Sequence, residues 1–539
     1  MLLDAREVPR NSILETDICI IGGGIAGLTI AQEFIIKESN TSVKHNRQTR
    51  VMILESGGEE IDERTQELYS GKFQIRDFTG QTISRDSYLT SSRSRRLGGS
   101  GNHWGGRCLI LDDIDFEKRD WLPYSGWPFS KKELNPYYNR ACDLLQIPNY
   151  DYNIYKNRSP YIIGDNSKVT TKMMHYSPLA ARNGDQYDSF KKKVADSKKI
   201  KVYLYANVTQ ILTNKNDNKV SRVRVQCLPI GENRNKVENS FQVKAKKFIL
   251  ATGGIENARL LLLSNQKYKN GLGNRNGLVG RFFMEHLWFS DKTHIYFSRQ
   301  KDLRFYEEDS EKIYTQKQTK RGILSLNKKT QEQNKLLNFL GEISLTRREG
   351  SDLFRSFIRN IYDTDNLMHI KEKKDFFDGH LRGLRVAGGE KSPDPRSRLT
   401  LGSERDLLGQ KKVNLSMQIN KRDYEYIEKT LQIIGQELGK AGEGRVRWPG
   451  FISQPDQQKK KKQIAELLQT VGLPSHHMGT TRMHTDPRYG VVDENCLVHG
   501  ISNLYVAGSS VFPTCGFANP TLTLTALAIR LADYIKTKI

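Results

Sequence analysis

Asp17-Ile18-Cys19-Ile20-Ile21-Gly22-Gly23-Gly24-Ile25-Ala26-Gly27 is a short apolar run that stops on glycines. The four consecutive apolar positions Ile18 to Ile21 after Asp17 read as a strand buried on both faces, the pattern of a parallel sheet. Gly22 to Gly27 then satisfies G-x-G-x-x-G, and Leu28 to Ile36 carries helical spacing. After the polar stretch KESNTSVKHNRQTR, Val51 to Leu54 reads as a second strand ending at Glu55. Strand, turn, helix and strand make a βαβ unit. In such a unit Gly22 permits the tight turn, Gly24 lets a pyrophosphate approach the backbone, and Gly27 lets the helix pack close to the strand. The helix N-terminus faces the anion. Glu55 is placed to bond a ribose hydroxyl. Its distance along the chain exceeds the usual gap of about 20 residues, and the polar loop at 38–50 accounts for the excess.

Further strands of the same sheet are expected far along the chain. The apolar run Val243 to Thr252 enters ATGGIE (Ala251 to Glu256), and NLYVAGSS runs from Asn503 to Ser510. A nicotinamide dehydrogenase completes its nucleotide domain within roughly the first 150 residues, so this spread favours a flavin-type module. No second G-x-G-x-x-G and no C-x-x-C pair occurs, which counts against a separate NAD(P)H domain and a disulfide reductase. Lys201 to Leu212 and Lys219 to Cys227 read as strands of a hairpin or meander. Residues 59–150 look loop-rich, residues 288–447 read as a mixed second domain, and TLTLTALAIRLADYI reads as a closing helix.

The 539 residues are enough for two domains, and 37% hydrophobic with 27% charged residues fits a soluble globular enzyme. Apolar runs are far too short to cross a bilayer, and the N-terminus lacks an apolar segment of signal-peptide length. A cytoplasmic protein with no integral membrane segment is the expectation. The six scattered cysteines argue against a disulfide framework, and no His, Asp or Glu cluster has metal-ligand spacing, so no metal is expected. Net charge is +24. The one dense lysine run, Lys459 to Lys462, lies in the linker-like QPDQQKKKKQ, without a recognition-helix or stacking-aromatic motif. Solvated lysine faces are therefore favoured over a specific nucleic-acid surface.

The combined pieces GGGIAGLTIA with LESGG, RRLGGSGNHWGGR, ATGGIENARLLLLS, SHHMGTTRM and NLYVAGSSVFPTCGFANPTLTLTALAIRLADYI resemble the glucose–methanol–choline (GMC) oxidoreductases, in family order. The resemblance implies bound FAD, a substrate domain on an antiparallel sheet, and oxidation of an alcohol by hydride transfer to flavin N5. The implied fold class is α/β (α+β overall), with a Rossmann-like FAD-binding domain discontinuous in sequence. The expected division is 1–130, 195–290 and 466–539 for FAD binding, and 131–194 and 291–465 for substrate binding.

By the same resemblance His476, with Gly479-Thr480 and Met483 after it, matches the catalytic base, and Asn519 matches the second catalytic position. Alcohol oxidation needs a base with a pKa near neutrality to take the hydroxyl proton. Asn519-Pro520 is equally an N-cap followed by proline at the first helical position; both roles are compatible. His103 matches the spacing of a histidine bonded covalently to FAD in pyranose and choline oxidases, or else lies against the flavin without a bond. Gly99, Ser100 and Asn102 are carried over as flavin contacts from the same loop, and Gly508 as a contact at the late strand end. Val208 matches the place where the backbone meets adenine, or marks an ordinary turn. His477 is read as packing or as support behind the base, and His286 as structural rather than catalytic. The expected substrate is a small-molecule sugar or polyol, with dehydrogenase favoured over oxidase and the electron acceptor unknown. The alternatives are an NAD(P)H-dependent flavin monooxygenase and a non-catalytic flavoprotein or polyanion-binding protein.

Overall fold

Strand Ile13–Ile21 is the middle of the first sheet, and Ile18 to Ile21 are buried there. The computed structural model describes residues 1–35, 49–149, 167–180, 185–216, 218–229, 239–289, 293–298, 302–309, 312–313, 315–345, 381–447 and 454–539, with Ile163 and Ile452. Most of the polar loop expected at 38–50 lies outside these residues. On one side of Ile13–Ile21 run Val51–Leu54, Ile200–Leu204 and Leu2–Asp4, all parallel. On the other side lies the long strand Asn239–Leu250, also parallel. Its second half, Phe248 to Leu250, pairs in parallel with Leu504 to Val506, while its first half pairs antiparallel with Val220–Cys227. A parallel sheet assembled from both chain ends is the discontinuous Rossmann-like unit expected from the sequence.

Helix Ile25–Glu33 starts at Gly24 and ends three residues before the predicted limit of Ile36. It packs against the C-terminal helix Pro520–Lys536, which in turn packs against helix Lys131–Leu144. Tyr138 and Thr523 join the last two helices by a 2.8 Å hydroxyl contact. The apolar flank of the C-terminal helix, including Leu522, Ile529 and Ile535, is fully buried, worth about 1.5–3 kcal/mol per large side chain.

The predicted strand Lys201 to Leu212 is broken in two. Tyr205 has a left-handed φ of 59°. Its N–H donates to Gly57 O and that of Ala206 to Glu55 O, which ends pairing with the parallel sheet. The chain then turns into Asn207–Thr213, antiparallel to Val220–Cys227. The stretch read as a linker is a helix, Gln457–Thr470, N-capped by Asp456, and it carries Lys459 to Lys462 in its first turns.

A second sheet is antiparallel throughout its order Gly444–Arg447, His294–Phe297, Leu381–Gly389, Phe339–Leu345, Lys320–Leu326, Val169–Tyr176 and Arg107–Cys108. A third, small sheet joins Gly71–Asp77 to Lys411–Ile419 in parallel. The long helix Lys421–Lys440 opens on a capping box between Asn420 and Asp423 and buries Leu431, Ile434 and Leu438 in the second core. All six cysteines are buried and none is in a disulfide. Among the described residues no helix is long and apolar enough to cross a membrane.

Arg119 and Glu390 form a buried two-pronged ion pair at 2.7 and 2.5 Å, and Glu390 also accepts the Asn338 N–H. Removing one partner strands a buried charge. Arg119→Met is expected to cost about 3–5 kcal/mol, seen as a lower melting temperature by calorimetry. An unchanged transition would contradict it.

Candidate active site

Segments from both ends and the middle of the chain converge on one cavity of about 370 Å³. The first is the glycine turn. Gly22 has φ +104°, and a Cβ there would sit 2.6 Å from Ala251 O, so only glycine fits. Gly22 and Gly24 line the cavity. Gly27 does not; a Cβ on it would meet Gly22 O at 2.1 Å, so its work is the close seat of the helix on the strand. Glu55 lines the cavity with its carboxylate pinned by the N–H groups of Gly23 (2.7 Å) and Gly57 (2.8 Å). Val208 and Gly508 also reach the wall.

The second segment is the loop from Ser92 to Arg107. Gly99, Ser100 and His103 line the cavity, and the His103 ring bonds to the Ser92 backbone. Asn102 does not line it. Its amide donates to Leu97 O and Gly99 O at 2.9 Å each and locks the loop instead. Arg93 and Arg95 anchor the loop on Glu256 at 2.9 and 3.2 Å, and Arg259 bonds the same carboxylate. Burial acts to raise the Glu256 pKa, but Arg259, Arg93 and Arg95 bring it down to about 2.

The remaining segments bring the histidines. Met284 and Met478 exchange N–H···O bonds at 3.0 Å each, an antiparallel bridge. Two residues on from Met284 and two back from Met478 are His286 and His476, which such a bridge sets face to face. Their Nδ1 atoms are 2.9 Å apart. The next bridge, Trp288 with Gly472, is out of register, so Leu473 to His477 bulges over Glu285 to Leu287. Ser475 takes φ 68° in that bulge, a conformation costly for a non-glycine residue. The result turns His476 to the cavity. Its Nε2 lies 3.1 Å from the amide nitrogen of Asn519, the N-cap of the C-terminal helix. Both side chains line the cavity with the glycine turn.

Glu285 is fully buried beneath this bulge. It accepts the His476 N–H at 2.8 Å on both oxygens, the His286 N–H at 3.0 Å and the Tyr88 hydroxyl. Burial pushes its pKa up to about 8 against those donors. Burial, with the nearby Arg107 cation acting in the same direction, holds His476 well below the usual histidine range. Burial takes His286 to about 4 and His477 to about 3. His476 is therefore neutral near pH 7, the form a base needs. His477 points away to the Tyr88 hydroxyl, 3.0 Å from it.

A flavin dinucleotide fits these walls. A Cβ at Gly24 would meet only Gly99 Cα, at 3.9 Å, so it would stand in open cavity. The Ser92 and Ser94 hydroxyls and Arg95 Nε, all on lining residues, are buried without a hydrogen bond among the described residues. Two helices, starting at Ile25 and Gly253, open toward the same cavity and offer N–H groups to anionic oxygens. Sequence reading missed Tyr88 and Arg93, which lie outside the quoted motifs, gave no role to Arg95 and Arg107 at the two ends of RRLGGSGNHWGGR, and read His286 as structural although it touches His476. Among the described residues no group of three or more His, Cys, Asp or Glu could hold a metal.

A parallel nucleotide-binding sheet beside an antiparallel one, with His and Asn over a glycine turn, defines a flavoprotein oxidoreductase. Comparison with known proteins agrees. Residues 393–528 match the GMC oxidoreductase family model. The chain is 23% identical over 585 aligned positions to the fructose dehydrogenase large subunit of Gluconobacter japonicus, covering 97% of this chain and 98% of that one. It is 23% identical over 505 positions to 2-methyl-1,2-propanediol dehydrogenase of Mycolicibacterium austroafricanum, covering 83% and 82%. Its fold is similar to that of pyridoxine 4-oxidase from Mesorbium loti (TM-score 0.53, 17% identity, 97% and 99% covered). Formate oxidase is likewise similar (TM-score 0.55, 17% identity, 98% and 99% covered). The chain thus resembles the GMC oxidoreductases through the matched C-terminal segment, and along most of its length, at lower identity, it is similar to dehydrogenases of a sugar and a diol.

A carboxyl whose pKa is higher folded than unfolded contributes stability at low pH and loses it as pH rises. For Glu285 that window runs from 4.5 to about 8. The melting temperature is expected to fall across it, and Glu285→Gln should flatten the fall. Parallel curves for parent and variant would contradict this assignment.

Proposed function

We propose that this enzyme oxidises a hydroxyl of a sugar or polyol, with His476 as the base and Asn519 steadying the substrate oxygen. The observation that carries the reading is the 3.1 Å approach of the His476 Nε2 and the Asn519 amide inside the cavity that the glycine turn lines. Fructose and propanediol dehydrogenases as the relatives aligned over most of the chain support the substrate class. Both are dehydrogenases, whereas the pyranose 2-oxidase match from Tricholoma matsutake spans only 12% of this chain, which favours a dehydrogenase with a separate electron acceptor.

FAD, when bound, supplies the hydride acceptor. The residues that would hold it are Gly22 and Gly24 with the N-terminus of helix Ile25–Glu33 at the pyrophosphate, and Glu55 at a ribose hydroxyl. Val208 would meet the adenine, and Gly99, Ser100, His103 and Gly508 the remaining surface. His476 takes the hydroxyl proton at Nε2. The Asn519 amide, rigid as a helix cap, donates to the same oxygen and resists its drift. We assign a covalent bond to FAD at His103, by the family spacing and its place on the wall. The FAD-binding domain comprises 1–130, 195–290 and 466–539, with helix Lys131–Leu144 seated on it through the C-terminal helix, and the rest binds substrate.

The holoenzyme mixed anaerobically with a panel of sugars and polyols is expected to lose its visible flavin absorbance with at least one of them. His476→Ala should keep FAD and slow that bleaching by about 10²–10⁴-fold, and Asn519→Ala by about 10²–10³-fold. Full-speed reduction in His476→Ala removes it from the chemistry. After acid precipitation the parent pellet should stay yellow and that of His103→Ala should not; a colourless parent pellet ends the covalent assignment.

A further inference from the structure

We propose that His286 is a positioning residue that sets the tautomer of His476, leaving bare the nitrogen that faces Asn519. Its functional meaning rests on the base assigned above, but the protonation pattern follows from three contacts by themselves.

The first contact is His286 Nε2 to the carbonyl oxygen of Gly516, at 3.0 Å. A carbonyl can only accept, so Nε2 must carry a hydrogen. The Cys515 backbone bonds the same ring and adds to that demand. His286 is 1% exposed, and burial keeps its second nitrogen unprotonated near neutrality, the ring's pKa standing at about 4. Its Nδ1 is therefore an acceptor. The second contact is that Nδ1 with His476 Nδ1, at 2.9 Å. Two bare nitrogens would repel, so the hydrogen sits on His476 Nδ1. His476 is also neutral, held so first by burial, with the nearby Arg107 cation acting in the same direction. A neutral imidazole with its hydrogen on Nδ1 has a bare Nε2. The third contact agrees: the Asn519 NH₂ group lies 3.1 Å from Nε2 and donates to it.

The opposite arrangement requires His286 to carry hydrogens on both nitrogens. That would bury a cation whose facing groups are Arg107, which is itself positive, the histidines, Glu285 and Glu390. Glu285 spends its oxygens on backbone N–H groups and Tyr88 rather than on either ring, so it does not neutralise such a cation directly. The relay from Gly516 O through His286 to His476 thus runs in one direction. It fulfils for this histidine what a carboxylate does for others, fixing the ring and its tautomer from behind. When Nε2 takes the hydroxyl proton, the Nδ1 hydrogen keeps its acceptor, and the new cation keeps a hydrogen-bonded partner.

The test uses FAD-loaded enzyme carrying ¹⁵N-histidine, with His476 signals assigned by their loss in His476→Ala. Long-range ¹H–¹⁵N correlation should show the His476 hydrogen on Nδ1 and Nε2 bare. In His286→Leu, which removes the acceptor, the hydrogen should shift toward Nε2, and flavin reduction by substrate should slow about 10–100-fold. In His286→Gln, whose side-chain oxygen can accept from Nδ1 and whose amide can donate to Gly516 O, the tautomer and most of the rate should return. Parent enzyme with the hydrogen on Nε2, or His286→Leu with parental tautomer and rate, overturns the proposal. Should His286→Leu fail to fold, the parent spectrum decides. If no alcohol bleaches the parent flavin, the alcohol reading fails, and the ¹⁵N pattern still judges the relay separately.

Discussion

Three backbone pairings hold the two ends of this chain together. Phe248, Ile249 and Leu250 lie in parallel register with Leu504, Tyr505 and Val506, and the same residues pair on their other side with Cys19, Ile20 and Ile21. Strand ends aligned in this way put Gly22, Ala251 and Ala507 at one edge, since Ala251 N–H donates to Ile21 O and Ala507 N–H to Leu250 O. A cleft outside the carboxyl ends of parallel strands is where such sheets take their ligands. The late strand, together with the packing of helix Ile25–Glu33 on the helix that Asn519 caps, fixes Asn519 against the glycine turn nearly 500 residues earlier.

Charge organises the wall that the sheet does not supply. The loop from Ser92 to Arg107 has little regular structure, yet it is pinned by Arg93, Arg95 and Arg259 on Glu256, and Arg259 is bound in turn to Asp406 at 2.6 Å. These groups are buried, so the cluster holds only because each charge is met by several partners. Arg107, at the far end of the loop, is clamped by Glu308 and Glu342 of the second sheet's side. One loop thereby ties the nucleotide-side sheet to the antiparallel one across the cavity. Among the described residues the hydroxyls of Ser92 and Ser94 have no hydrogen-bond partner, and both residues line a cavity that suits a polar ligand.

The sequence was legible wherever a local pattern had one physical cause. The run ending at Ile21, the glycines after it and Val51 to Leu54 gave the parallel unit, because buried strands read as unbroken apolar runs. QPDQQKKKKQ misled, because its polarity looked like a linker. Asp456 caps a helix there, and only Ile464, Leu467 and Leu468 of that helix are buried, too few to advertise a periodicity. Tyr205 was missed as a strand break because its positive φ is held by Glu55 O and Gly57 O, about 150 residues away in sequence. Asn102 was carried over as a cofactor contact from its loop, and the structure shows it spending its amide on that loop. Residue identity there could not distinguish holding a ligand from holding the backbone that meets it.

His286 shows the same limit most sharply. Nothing near Val279 to Leu287 announces a partner, and a buried histidine is ordinarily satisfied packing. Its meaning lies in the register of one bridge, Met284 opposite Met478, which no property of either segment reveals alone. Antiparallel register then does the rest: residues two steps out on each side fall on the same face, and the bulge at Ser475 lets the second ring turn toward the cavity. The Gly516 carbonyl, from a third segment, completes the set, because Gly516 at φ +55° packs where a Cβ would meet Leu111 at 2.4 Å. Hydrogen-bond chemistry, which allows a carbonyl only to accept, thus reaches from a glycine beside the C-terminal helix to the nitrogen facing Asn519. The direction of that chain of hydrogens is set by covalent structure at one end and burial along its length, and requires no charged group to enforce it.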